Sequence, residues 1–208
     1  MSLDASTLRI LAARRLHAGP QPEARRGDYD LNPGTAYERN PDGLATPAAV
    51  LVPIVARRSG LTVLLTTRTA DLPSHPGQVA FPGGKVDPTD AGPLDAALRE
   101  AEEEIGLARR FVEPLGFLDT YQTGSGFLIA PAVALVADGF ELRLNAREVA
   151  SAFEVPLSFL LDPANHQLQS REWRGKLRHF YVMPYGKHHI WGVTAGMIRN
   201  LYDRLVAP

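Results

Sequence analysis

The sequence predicts an α+β fold: a mixed β-sheet flanked by helices, preceded by an N-terminal helical extension. Three observations carry this. β-rich and amphipathic helical segments interleave without a strict strand–helix–strand rhythm. Two of the β-rich segments adjoin across a Ser59-Gly60 turn. Two later stretches, Asp95 to Ile105 and Thr194 to Leu205, repeat apolar residues at helical spacing.

In chain order, Leu3 to His17 reads as a first helix, with Leu8, Leu11, Ala12 and Leu16 near helical spacing and Gly19-Pro20 as its stop. Pro20 to Pro47 carries many Pro, Gly, Asp, Asn and Arg residues without period, which suggests an arm lying over the domain. The organisation expected is a helix and arm over 1–47 and one domain over 48–208. Ala48 to Val55 and Leu61 to Thr67 form a candidate hairpin. Leu72 to Lys85 reads as loops around one short strand, Gln78 to Phe81, and an Asp/Pro/Thr/Gly cluster follows from Asp87 to Pro93. Asp95 to Ile105 is a helix closed by Gly106, with Leu94, Leu98, Ala101 and Ile105 as its core stripe. Leu115 to Gln122, Leu128 to Val136 and His179 to Tyr185 are further strands. The last helix places Met197, Ile198, Leu201 and Leu205 on one face.

Composition narrows the function. The chain has 208 residues, no cysteine and a formal net charge of -1. Disulfides, thiolate zinc sites and a cysteine nucleophile are therefore excluded, and a broad nucleic-acid footprint, which needs basic excess, is not expected. No apolar run reaches the roughly 18 residues that span a bilayer, and the first twenty residues lack a signal-peptide pattern. A cytoplasmic location is expected, with no membrane partner.

The chemistry is concentrated in Gly83-Gly84-Lys85-Val86-Asp87 and in Arg99-Glu100-Ala101-Glu102-Glu103-Glu104-Ile105-Gly106-Leu107. At about 100° per residue from Leu98, Glu103, Glu100 and Glu104 lie at about 140°, 200° and 240°, opposite the leucine stripe. All three are expected to be exposed; Glu102, near 40°, is separate. Like charges three and four apart repel. A divalent cation would compensate, since hard cations take carboxylate oxygens and keep positions for water and phosphate. Arg99 offers a bidentate guanidinium that can hold one carboxylate, and Gly83-Gly84 lets the backbone approach a metal or phosphate closely. The bland alternative is a solvated acidic face, and the neighbouring Gly-Gly and Arg weigh against it.

These residues resemble the box of the Nudix hydrolases: Gly, five residues, Glu, seven residues, Arg-Glu, an aliphatic residue, any residue, Glu-Glu, any residue, Gly and an aliphatic residue. Gly84, Arg99, Glu100, Glu103, Glu104, Gly106 and Leu107 fit it. Asp90 stands at the first Glu position, eight residues rather than seven separate it from Arg99, and Ala101 is small for its aliphatic site. The segments Leu64-Leu65-Thr66-Thr67-Arg68 and Leu72 to Gly84, with the longer box, are similar to the coenzyme A pyrophosphatase subgroup. Ser125-Gly126-Phe127, Val155-Pro156-Leu157 and Ile190 to Gly196 agree with it.

The resemblance implies an α/β/α sandwich and hydrolysis of the diphosphate of coenzyme A or a derivative, giving 4'-phosphopantetheine and adenosine 3',5'-bisphosphate. It implies Mg2+ as cofactor, with Mn2+ as substitute. Glu100 and Glu104 are the first choices as metal ligands, the Gly84 carbonyl is a third, and Glu103 either shares the metal or activates water. Arg99, Glu100 and Glu103 form the expected catalytic set. Arg68, then Lys85, Arg57 and Arg58, are the expected substrate cations, because a nucleotide with an extra 3'-phosphate needs cationic partners; Arg57 and Arg58 are equally readable as surface charges. His75 is a minor candidate. His188-His189 lacks an acidic partner at ligand spacing, and Phe180 and Trp191 are expected in the core. Two rivals stay open: a Nudix hydrolase of another nucleoside-diphosphate compound, such as ADP-ribose or a dinucleoside polyphosphate, and a non-catalytic nucleotide sensor on the same fold.

Overall fold

The computed structural model describes residues 3–34, 44–72, 74–173 and 175–207. Its elements run α1 (Ala5–Arg15), β1 (Arg26–Gly27), a 3-10 turn (Asp28–Asp30), β2 (Thr46–Arg57), β3 (Gly60–Arg68), β4 (Val79–Ala80), β5 (Gly83–Lys85) and α2 (Pro93–Ile105). They continue β6 (Val112–Phe117), β7 (Tyr121–Gln122), β8 (Phe127–Val136), β9 (Val149–Pro156), α3 (Leu157–Leu160), β10 (Gln167–Trp173), β11 (Lys176–Tyr185), β12 (His188–Trp191) and α4 (Gly192–Leu205).

The main sheet is mixed. Its path is β1-β7-β8-β2-β3-β4, with β5 also pairing β2, β6 pairing β8 and β9 pairing β3. The central ladder is parallel, from Thr46↔Phe127 to Val55↔Val136. β10, β11 and β12 form a separate antiparallel sheet. No helix among the described residues is long and apolar enough to cross a membrane.

Alternation along β2 and β8 builds two cores. Val52, Ile54, Val133 and Leu135 meet Leu8 of α1 and Met197, Ile198 and Leu201 of α4 on one face. Ala49, Leu51, Ala130, Ala132 and Ala134 meet Ala97, Ala101 and Ile105 of α2 on the other. The expected fold class is therefore observed: a mixed sheet between helices.

Several elements differ from the sequence expectation. Gly83–Lys85, expected as loop, is a strand paired with Ala48–Val50, because glycine without a side chain fits a ladder packed tightly against its neighbour. A β-carbon on Gly83 would stand 2.6 Å from the Val50 Cα. The segment Leu115 to Gln122 divides into β6 and β7 around Leu118–Thr120. β9, β10 and β12 carry no clean alternation: every residue of 167–172 is exposed on both faces. The arm is ordered where described, with β1 in the sheet; residues 35–43 lie outside the described residues. Phe180 and Trp191 pack edge to face at 5.4 Å, and both are only half-buried, not core.

Candidate active site

α2 positions the carboxylates. Gly92 and Pro93 start it, and Gly106 ends it in the left-handed conformation (φ 70°), its N–H donating to Glu102 O at 3.0 Å. The buried face keeps Ala101 and Ile105 of the expected stripe but is rotated away from its leucines. Ala97, Ala101, Glu104 and Ile105 are buried, whereas Leu94 and Leu98 are only half-buried. The alanines on α2 oppose those of β8, so the helix turns its small residues inward and settles close to the sheet. This rotation corrects one expectation. Glu104 is 4% exposed rather than on the solvent face; Glu102, set apart from the other three, is exposed and 3.9 Å from Arg109.

Glu104 reaches the β4–β5 turn, where Gly83 N–H donates to its Oε2 at 3.3 Å. Burial pushes its carboxyl up to about 8; the Gly83 N–H and Arg68 oppose this, and the charges of Glu100 and Glu148 add to it. Glu100 lies against Gly84, where a β-carbon would stand 2.6 Å from Glu100 Cδ. Its carboxyl is also raised, by burial first, with Arg99 opposing and Glu103 and Glu148 adding. Glu103 remains exposed and pairs with Arg99 at 3.3 Å.

Arg99 ties the loop to the helix. Its Nε and Nη2 donate to the two oxygens of Asp90 at 2.9 and 3.0 Å, its Nη2 donates to Lys85 O at 3.2 Å, and its Nη1 donates to Glu100 Oε1 at 3.0 Å. Asp90, the departure at the first box glutamate, thus receives a fork-to-fork pair that holds its carboxyl below the usual range.

Arg68 stands at the end of β3. Its backbone N–H donates to Gln78 O at 3.0 Å, while its Nε is buried without a hydrogen-bond partner among the described residues. Lys85 is exposed beside the cluster, its carbonyl used by Arg99. His75 is exposed in the turn before β4, at φ 55°, with Nδ1 3.2 Å from Gln78 Oε1. Arg57 and Arg58 are not brought to the cluster. Arg57 lies eight residues along β2 from Ala49, the partner of Gly84, about 26 Å away. It pairs there with Asp138 and Glu154 and stacks over Phe140 at 4.8 Å.

Glu148 escaped the sequence reading. It sits just before β9, its N–H donating to Asn145 O at 2.9 Å and its Oε1 accepting from Asn145 Nδ2 at 3.0 Å. Asn145 N–H donates to Glu104 O at 2.9 Å, which draws this turn onto the end of α2. The available signal was an Asn-x-x-Glu turn ahead of a β-branched residue, too common to single out.

Among the described residues no three acidic or histidine side chains converge as a ready-made metal cage. The donor set nevertheless suits a hard cation: a half-buried and a buried carboxylate one helical turn apart, each brought against a β5 glycine. Such an arrangement offers carboxyl oxygens that a bound cation would hold in the ionised form.

A buried and a half-buried carboxylate lie under the glycines of β5, with an arginine clasping the preceding loop, on a mixed sheet between helices. Comparison with known proteins identifies the family. Residues 45–174 match the NUDIX domain model. The chain is 44% identical over 158 residues to an uncharacterized Nudix hydrolase NudL of Photorhabdus laumondii, covering 76% of this chain and 84% of that protein. It is 41% identical to the NudL of Escherichia coli K12 over 74% of this chain and 80% of that one. A solved Nudix hydrolase of M. smegmatis, RenU, superposes with a TM-score of 0.51 at 25% identity, over 62% of this chain and 84% of that one. The chain belongs to the Nudix hydrolase family.

Proposed function

We propose that this protein hydrolyses the diphosphate linkage of coenzyme A and its derivatives, releasing 4'-phosphopantetheine and adenosine 3',5'-bisphosphate. The observation that carries the reading is Arg68, which belongs to the subgroup-like segment Leu64 to Gly84. Its buried Nε has no partner among the described residues, and it lies close enough to Glu104 to act on its charge. An unpaired buried donor beside a carboxylate site suits a phosphate oxygen.

In this reading Glu100 and Glu104 hold Mg2+, with Glu103 and the Gly84 carbonyl as further donors. When bound, the ion neutralises charge on the diphosphate oxygens. Arg68 and Lys85 bind the phosphates, leaving the reacting phosphorus in line with water. Arg99 keeps Glu100 oriented and fixes the loop through Asp90 and Lys85 O. Glu103, exposed on α2, orients a water and accepts its proton as the water oxygen bonds to phosphorus. The bridging P–O bond then breaks, and the departing phosphate takes the electron pair.

The test is parallel incubation of the purified protein and Mg2+ with coenzyme A, ADP-ribose and a nucleoside triphosphate, with Mn2+ and chelator arms and products resolved by chromatography. Metal-dependent release of adenosine 3',5'-bisphosphate from coenzyme A supports the proposal. Cleavage of the other compounds alone moves the substrate elsewhere in the family, and inactivity toward all three points to a sensor.

A further inference from the structure

A second cavity, of about 180 Å³, opens on the α4 side of the sheet, with the arm as one wall. The arm is clipped there by several bonds. Arg26–Gly27 pairs in parallel with Tyr121–Gln122. The Asp28 carboxylate accepts from Tyr121 Oη at 3.0 Å and Gly124 N–H at 2.7 Å, and the Asn32 side chain accepts from His179 N–H and donates to His179 O. The cavity is lined by Arg26 and Asp30 of the arm, Tyr121, Phe180, and Gly196 and Arg199 of α4.

Its chemistry favours a flat, nitrogen-bearing ring over an anion. Both guanidinium groups are already engaged: Arg26 lies 2.6 Å and Arg199 3.0 Å from Asp203, and Arg199 stacks over Tyr181 and Tyr202. Little positive charge is left for a phosphate. Half-buried Phe180 provides aromatic surface, and Tyr121, 5% exposed, closes the floor with its ring packed onto Gly196, where a β-carbon would stand 2.7 Å from its hydroxyl. Asp30 keeps acceptor capacity, because among the described residues its Oδ2 has a 3.4 Å bond from Gly27 N–H and a 3.7 Å approach to Arg26.

Its position suits the nucleoside half of a diphosphate compound. Arg26, Tyr121, Ile129, Ala48 and Lys85 are successive register partners across the sheet. Tyr121 is thus three strand spacings, about 14 Å, from the strand that carries Gly84. We propose that this cavity is the base subsite, receiving an aminated purine whose exocyclic amine donates to Asp30. The arm is then a specificity element, and the assignment rests on the nucleoside-diphosphate reading above.

The experiment is calorimetric titration of the 208-residue protein with adenosine 3',5'-bisphosphate and inosine 3',5'-bisphosphate, which differ in an amine against a carbonyl on the ring. The wild type is expected to prefer the adenosine compound about tenfold, the worth of a hydrogen bond to a charged acceptor. In Asp30→Asn the two compounds bind alike, and Phe180→Ala weakens both. Equal binding of the two by the wild type, no binding of either, or a preference that survives in Asp30→Asn overturns the proposal. Because the titration needs no turnover, it separates the two readings. Coenzyme A cleavage without base discrimination removes the subsite and keeps the reaction, whereas base discrimination without cleavage does the reverse.

Discussion

The carboxylate of Glu100 rests against the Cα of Gly84, so close that a β-carbon at Gly84 would stand 2.6 Å from Glu100 Cδ. The loop glycine and the helix glutamate therefore define each other's place. Gly84→Ala displaces a side-chain end rather than backbone, so the fold survives while the carboxylate moves. Turnover should fall about a hundredfold, as for a misplacement of about 1 Å at a reacting centre. Kinetics paired with a thermal melt checks this: an active variant would show that Glu100 need not sit there.

Arg99→Lys keeps the charge and loses the fork. A lysine cannot hold both Asp90 oxygens together with Lys85 O and Glu100. Activity should drop about tenfold or more, and amide exchange across residues 85–92 should quicken. Unchanged exchange would remove the loop-clasp role.

Glu104 makes stability depend on pH. Its folded carboxyl titrates near 8, against 4.5 for an ordinary glutamate, so between those values the folded state holds more protons than the unfolded one. In chelator, stability should therefore fall as pH rises across this window, on the order of 1.4 kcal/mol per pH unit at the steepest. Glu104→Gln removes that decline while abolishing hydrolysis, which melts at several pH values and a product assay would show. A parallel decline in the variant would assign it to another group.

Arg68→Ala and Arg57→Ala should part company. Loss of Arg68 should raise KM about tenfold, the scale of a charge-assisted phosphate contact. Loss of Arg57, at the far end of β2, strips Asp138 and Glu154 of their partner and should cost about 1 kcal/mol of stability with kinetics unchanged. A KM effect from Arg57→Ala would return that residue to the substrate.

Asp119 joins three segments. It accepts from Arg204 and from Asn200 of α4 and lies 3.0 Å from His17 Nε2. Burial pulls its carboxyl up, but Arg204, His17 and Asn200 outweigh burial and hold it well below the usual range. The stability it contributes is present above the ordinary carboxylate range and lost as pH falls below it. Asp119→Ala should cost about 3 kcal/mol, read from chemical unfolding near neutral pH.

How much of this was legible depended on which residues announce themselves. The Ser59-Gly60 hairpin and both long helices were readable because turn residues and apolar spacing mark them. The box residues on α2 were readable as a set, but not their depth. A helical wheel weights leucine, whereas the alanines of α2 and β8 allow the closest approach, and that rotated Glu104 inward. Gly83–Lys85 hid as a strand because glycine signals a turn. Glu148 and the pocket around Asp30 were invisible, since each depends on segments distant in sequence and carries no periodic pattern.

The parallel ladder of β2 on β8 has a consequence for synthesis. Every β2 residue from Thr46 to Val55 pairs with one roughly eighty positions later, so a strongly apolar strand leaves the ribosome long before its central partner exists. With β3 it can form only a local hairpin, marginal in water, and its other edge stays open to foreign strands. Expression of this protein should therefore be limited by the nascent chain's exposure rather than by the finished fold's stability, with chaperone supply and translation speed as the variables that govern yield.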